Sequence, residues 1–378
     1  MKKIFAVLIC LIMLCSCSAP NEEVISQQDS FIGIWITYSE LIEAATDDFK
    51  ECFSRMVDNS YNLGATDLFV HVRAMSDSVY PSAYYPLCSW AQSLDYDALG
   101  FMIEACHQKG IRFHAWINPY RISSSKNELS LLPENSPAHS LSNCLGATEQ
   151  GLYFDPSKAQ VRKLVIDGIR EILSRYSVDG IHFDDYFYPT DSPAFDLYSY
   201  NAYCAETENP LPLAFWRKTN VNLLISGVCS AVNNCDAPVE FTVSPAADIE
   251  KNENALYADI DYWCNSGYLD KVIPQLYFGF SYPDERFCFK RLLNDWINYV
   301  GNTGVELCIG LAPYKLDTDS PADCEEWRNG TEIVANQIEL IKENPAVSGA
   351  VLFSYSYLFS EGENLDIQKN NIKKAIKQ

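Results

Sequence analysis

The sequence predicts an α/β fold, a single-domain (β/α)8 barrel with long loops at its C-terminal face. Three observations predict it. Eight short apolar runs alternate with amphipathic stretches, no Pro/Ser/Gly linker interrupts residues 31–378, and no Gly-rich phosphate loop follows the first run. Alternation of this kind implies parallel strands with crossover helices. The missing phosphate loop favours a closed barrel over a doubly wound open sheet.

The runs at 31–37, 67–73, 112–118, 180–185, 239–244, 271–277, 306–312 and 349–355 read as strands. Between them, 48–63, 96–109, 156–176, 214–232, 284–299 and 331–343 read as helices. Gly110 is placed to cap the second of these, and Asp155 followed by Pro156 to open the third. The segments 119–154 and 186–213 follow strands three and four and are rich in Ser, Asn, Pro and Tyr. They belong to the C-terminal face, where barrels build their sites, and loops that long ordinarily carry function.

The N-terminus is read apart from the fold. Lys2 and Lys3 precede an apolar run at 4–14, too short for a spanning helix of about twenty residues. The run ends in Leu14-Cys15-Ser16-Cys17, which resembles a bacterial lipobox. Residues 1–16 then form a lipoprotein signal, Cys17 carries the lipid, and 17–30 is a polar tether to the domain at 31–378. An ordinary cleaved signal is the alternative. Either way the protein is exported, and the lipid would anchor it to the cell membrane in the envelope.

The formal charge of −22 excludes a nucleic-acid partner, because so acidic a surface repels phosphate backbones. It leaves neutral and amino-sugar glycans. The hydrophobic share of 48% supplies a sizeable core. Beyond the leader, the cysteines are irregularly spaced with no Cys-x-x-Cys pair, which argues against a zinc or redox site. Cys229 and Cys235 suit either a local disulfide or free thiols.

Strand side chains alternate between two faces. On strand four, Ile181 and Phe183 suit the outer face against helices, so His182 and Asp184 point inward. The same parity turns His71 and Arg73 inward, then His114, Trp116 and Asn118, then Thr242 and Ser244, then Gln275 and Tyr277. Asp185 has the opposite parity and suits a helix N-terminus or an outer Arg. A purely structural barrel would carry Val, Ile and Leu at these upper positions, and buried polar groups without partners are costly. Five strands with polar or aromatic ends therefore point to a site. His71, His114 and His182, with Asp184, also raise a metal-dependent deacetylase or amidase. No His-x-His or His-Glu-x-x-His pairing supports that reading, and no cofactor is called for.

The segment VDGIHFDDYFYP at 178–189 closely resembles the signature of glycosyl hydrolase-like family 10. Further matches follow in order. They are VHVR at 70–73 with Asp77 and YPS at 80–82, HAWINPYR at 114–121, FDP at 154–156, TVSP at 242–245, IPQLY at 273–277, IGLAPYK at 309–315 and GAVLFSY at 349–355. The resemblance covers about residues 31–357. It implies a TIM barrel with a glycosidase-type site in secreted or lipid-anchored bacterial proteins. His71 stands where that family usually carries Gln. The segment after Pro245 lacks its usual aromatic and basic residues, so Asp248 is not carried over with the rest. Strand four also resembles, more distantly, the acidic strand of chitinase-type barrels, with Tyr186 in the place of the catalytic glutamate.

Glycosidic cleavage normally uses two carboxyl groups. Asp184 is the first candidate, with Arg73 expected to hold it ionised. For the second, Asp77 leads, then Asp185, then Asp248. Asn118, Gln275 and Tyr277, with Arg73, His114 and His182, are expected to bind substrate. Trp116, Tyr120, Tyr188 and Phe278 offer faces for pyranose rings. The expected partner is a polysaccharide or oligosaccharide, from the bacterial envelope or the diet, denuded peptidoglycan strands among them. A non-catalytic carbohydrate-binding lipoprotein is the alternative from a different class.

Overall fold

The structure is a computed structural model that describes residues 31–124, 128–316, 324–328 and 330–377. The expected signal, the tether and Cys17 lie outside the described residues. Eight parallel strands close into a barrel in chain order. They are Phe31–Ile36, Asp67–Arg73, Arg112–Ile117, Gly180–Phe183, Glu240–Val243, Lys271–Val272, Glu306–Leu311 and Gly349–Leu352. They are called strands one to eight below.

Period-two alternation divides the interior from the shell. Trp35, Phe69, Trp116, Ile273, Cys308 and Val351 form a separate inner cluster inside the barrel. Their neighbours Ile34, Val70, Ala115, Ile117, Ile181 and Phe183 join the main core beneath the helices. Full burial of each large apolar side chain contributes roughly 1.5–3 kcal/mol. The residue before each of three even-numbered strands ties down the odd strand ahead of it. Ile32 N–H donates to Thr66, Phe113 N–H to Asp179 and Phe241 N–H to Asp270. Strand six is shorter than expected because Pro274 has no N–H to offer the ladder. The chain nonetheless runs on in register, and Gln275 bridges Ala246 and Gly310.

The helices at 48–63, 96–109, 214–232, 284–299 and 331–343 appear as Phe49–Leu63, Ala98–His107, Leu213–Asn233, Phe289–Val300 and Ile333–Lys342. Asp48 and Asp97 cap the first two. The cap of Ala98–His107 is Gln108, and Gly110 lies beyond it at φ +71°. Asp155 does not open its helix, which spans Ala159–Arg175. Its carboxylate instead accepts from the Ser157 amide and the Ser199 hydroxyl.

Both long loops carry structure. The first folds into a small antiparallel sheet of Arg121–Ser123, Leu145–Thr148 and Gly151–Phe154. Gly151 is required there, because a Cβ would lie 1.9 Å from the Ser123 carbonyl oxygen. The second holds helix Leu197–Glu206. Arg217, fully buried, pins that loop by donating to Asp196 and to the Asp191 and Ser192 carbonyls. Cys229 and Cys235 are free thiols, not a disulfide.

Candidate active site

A cleft of about 360 Å³ opens at the C-terminal mouth of the barrel. Asp184 and Asp185 line it, with Trp35, Tyr38, His71, Trp116, Arg121, Tyr186, Ser244, Gln275, Tyr277 and Phe353. Strand four stops at Phe183. Past that point the period-two rule lapses, which is why both adjacent carboxyls line one cleft although strand parity separates them.

Asp184 is nearly sealed, at 4% exposure. Its Oδ2 accepts from Trp116 Nε1 at 3.1 Å, and its Oδ1 from the Tyr186 amide at 3.2 Å and Asn118 Nδ2 at 3.5 Å. Burial first, and then the charge of Asp185, push its carboxyl up to about 7. Arg121, the Tyr186 amide and the Trp116 indole offset only part of that rise. Asp185 is also raised, chiefly by burial, and its Oδ1 accepts from Gln275 Nε2 at 3.2 Å. The same Gln275 nitrogen donates to the Ser244 carbonyl, which fixes the amide.

Several expected site residues lie elsewhere. Arg73 is turned into the shell. A bulge between His71 and Arg73 shifts the register by one residue, so Arg73 takes the outward parity. Its guanidinium lies over the Tyr85 ring at 4.3 Å, close to Gly168 of helix Ala159–Arg175. Arg121 lines the cleft and pulls on both carboxyls, stacked over Tyr186 at 4.7 Å with Nε donating to the Ala74 carbonyl, and Lys251 also pulls on Asp185.

His114 and His182 occupy lower layers of the barrel. His114 pairs with Asp67 at 2.7 Å and stacks on Phe69, and neither reaches the cleft. His182 accepts from Trp35 Nε1 at 3.1 Å and contacts Thr242 Oγ1 at 2.8 Å. It supports the cleft floor rather than a substrate. Only His71 of the three lines the cleft, so the histidines do not converge. Among the described residues no group of three or more His, Cys, Asp or Glu gathers in a metal-binding arrangement.

Tyr120 and Tyr188 are buried beneath the long loops, Tyr188 against Tyr257 and Arg217, so neither ring meets the cleft. Phe278 packs on Phe287 and Tyr282. Asn118 braces Asp184 and accepts from the Arg121 amide. Asp77 sits in the loop after strand two and does not line the cleft, though burial raises it to about 6. Asp248 caps helix Ile249–Asn254. Trp116, Gln275 and Tyr277 do line the cleft, but one face of the Trp116 ring is covered by His71 at 3.5 Å.

Sequence reasoning missed Trp35 and Tyr38 as cleft residues. The alternation Ile32, Ile34, Ile36 on strand one carried the signal for Trp35. Arg121 was present in the motif at 114–121, but nothing in the sequence marks a loop arginine as inward. Tyr186, half exposed, is part of the cleft wall.

The family model described as "Glycosyl hydrolase-like 10" matches residues 30–328. The chain is 30% identical over 335 residues to "Glycosyl hydrolase YngK" of Bacillus subtilis, covering 81% of this chain and 63% of that protein. It is 29% identical over 414 residues to "Glycosyl hydrolase DigH" of Escherichia coli K12, covering 93% of this chain and 92% of that one. Among solved structures, the catalytic domain of beta-amylase from Paenibacillus polymyxa superposes with a TM-score of 0.60 at 10% identity. It covers 92% of this chain and 99% of that one, a likeness of fold.

Proposed function

Because the chain belongs to the glycosyl hydrolase-like 10 family, we propose that it is a glycoside hydrolase in which Asp184 and Asp185 form the reacting pair. The observation that carries this reading is two adjacent carboxyls in one cleft, with Asp184 raised to about 7 by burial and its neighbour. A carboxyl so placed keeps its proton near neutral pH and can deliver it to the leaving oxygen of a glycosidic bond. Asp185, held through Gln275, serves as the nucleophile, or as the base that activates a water, so that a new bond to oxygen forms at the anomeric carbon as the leaving oxygen takes the proton of Asp184. Arg121 limits the mutual repulsion of the two.

The substrate is a polysaccharide of the bacterial envelope or the diet. Denuded peptidoglycan strands are the first to test, because a lipid on Cys17 would hold the enzyme at the membrane beside that polymer. Wild-type protein and Asp184→Asn should be incubated with peptidoglycan and plant glycans, and the products analysed by mass spectrometry. Cleavage by the wild type, and binding without cleavage by the variant, is the expected result. Unchanged turnover in the variant would end the assignment. Binding without turnover in the wild type would favour a carbohydrate-binding lipoprotein. Separately, Cys17→Ala should move the protein from the membrane fraction to the soluble one.

A further inference from the structure

Most polar groups at the barrel mouth are spent on one another. Trp116, Asn118 and the Tyr186 amide bond Asp184, Gln275 bonds Asp185, and Trp35 bonds His182. Two side chains that line the cleft are buried yet unspent. His71, at 3% exposure, has no hydrogen-bond partner at Nδ1 or Nε2, and Ser244, at 1%, has none at Oγ. His71 stands on strand two and Ser244 just past strand five, so the carboxyls at the end of strand four lie between them in barrel order. A buried donor or acceptor without a partner is costly, and a ligand that pairs it recovers that loss.

The character of the two groups narrows the ligand. The His71 ring lies flat on Trp116, with an interplanar angle of 10°, and Tyr38 meets it in a T-shaped contact at 5.8 Å, so a hydrogen bond to either nitrogen comes in the plane of the ring and beside Tyr38. Burial, and then the charge of Arg121, hold it as neutral imidazole. Neutral imidazole offers one donor and one acceptor, and a serine hydroxyl can do either. Neither brings the positive charge that would favour a carboxylate or phosphate. Both suit hydroxyl groups.

We propose that His71 and Ser244 are specificity-determining residues that grip uncharged hydroxyl substituents on opposite edges of the sugar ring seated over Asp184 and Asp185. They thereby select among sugar epimers. The ring's being a sugar rests on the glycosidase reading above. An epimer that turns a hydroxyl away leaves one of these groups orphaned, and rejection of about 10- to 100-fold per group follows.

The test uses p-nitrophenyl glycosides of the epimers glucose, galactose and mannose, with N-acetylglucosamine as the 2-acetamido comparison, in both anomers, by calorimetric titration and by nitrophenol release. Wild type is compared with Ser244→Ala, His71→Phe and His71→Gln. In the wild type one epimer should bind at least 10-fold better than the others. Ser244→Ala and His71→Phe should each weaken that epimer by about 10- to 100-fold and the rest little, so the preference flattens. His71→Gln, which keeps a donor and an acceptor, should restore part of it. Equal losses on every glycoside, an unchanged preference, or no measurable binding would overturn the proposal. Preferential binding that depends on these residues, with no cleavage of these glycosides or of the peptidoglycan and plant glycans above, would sink the hydrolase reading and leave this one standing. Cleavage with a preference indifferent to both substitutions would do the reverse.

Discussion

The base and the mouth of the same barrel handle buried polar groups in opposite ways. At the base, Asp67 bonds Arg112 at 2.8 Å, His114 at 2.7 Å and the Thr66 hydroxyl at 2.6 Å. Arg112 passes on to Glu240 at 2.6 Å, Glu240 to Lys271 at 2.9 Å, and Lys271 to Glu306 at 3.5 Å. Burial pushes the Asp67 carboxyl up, but the His114 bond and the charges of His114 and Arg112 bring it below its ordinary value. At the mouth the balance falls the other way. Asp184 has three donors, yet burial and Asp185 leave it raised to about 7, and His71 and Ser244 have no partner. His114 Nδ1 apart, which has no partner, paired groups fix the strands at the base, while at the mouth the unmet demand is open to a ligand.

The largest expected effect that separates the two ends is on turnover. Asp184→Asn should lower kcat by about 10²- to 10⁴-fold, the usual contribution of a positioned proton donor, while circular dichroism shows an intact fold. Asp67→Ala should do the opposite. Removing one partner of a buried ion network costs about 3–5 kcal/mol, read as a lower denaturant midpoint. Activity per folded molecule should stay unchanged. An Asp67→Ala protein as stable as wild type would remove the contrast.

The pH dependence sharpens it further. Asp184 holds its proton more tightly folded than unfolded, where carboxyls titrate near 4. Between about pH 4 and 7 the folded state therefore binds more protons, and stability falls as pH rises through that window. The effect is at most on the order of 1.4 kcal/mol per pH unit. His71 and His182, held low chiefly by burial, act in the other sense. Their contribution is present above about pH 6.5, the unfolded value, and is lost as pH falls below it. Asp184→Asn should retain the acid-side loss and show a shallower decline toward pH 7, the remainder coming from Asp77 and Asp185, which burial also raises. Activity of the wild type should fall above about pH 7 as the donor loses its proton.

How much of this was legible in the sequence follows from where the period-two rule holds. Strand four was read correctly as far as Phe183, and the rule placed Asp184 on the inner side. It failed for Asp185, because the backbone leaves the strand there, and for Arg73, because a bulge costs one residue of register without any residue-type signature. His114 and His182 share the inward parity of the site, yet each stands two or more residues below its strand's mouth, and that depth keeps both from the cleft. The charged ring at the base escaped notice for a related reason. Asp67, Arg112, Glu240, Lys271 and Glu306 are scattered over the sequence, and only closure of the barrel brings them together. Arg121 depended on a loop path that no local pattern reports.

A smaller effect distinguishes the two arginines, and it bears directly on that failure of parity. If Arg73 faced the carboxyls, replacing it would disturb Asp184 and activity would drop. In the structure it lies against Tyr85 and Gly168, and neither Nη atom has a hydrogen-bond partner. Arg73→Met keeps most of the buried stem, removes an unpaired buried charge and loses a cation–π contact. That contact is worth about 0.5–2 kcal/mol, and removing the orphaned donors offsets a similar amount. Stability should therefore shift by no more than about 1 kcal/mol, and kcat/KM should stay within a factor of two or so. Arg121→Met removes the cation that pulls Asp184 downward. It should move the alkaline limb of the pH–activity profile to higher pH, where Arg73→Met leaves it in place. The pair of profiles measures which arginine the carboxyls feel. Coincident shifts in both variants would return Arg73 to the cleft and reopen the assignment of the bulge.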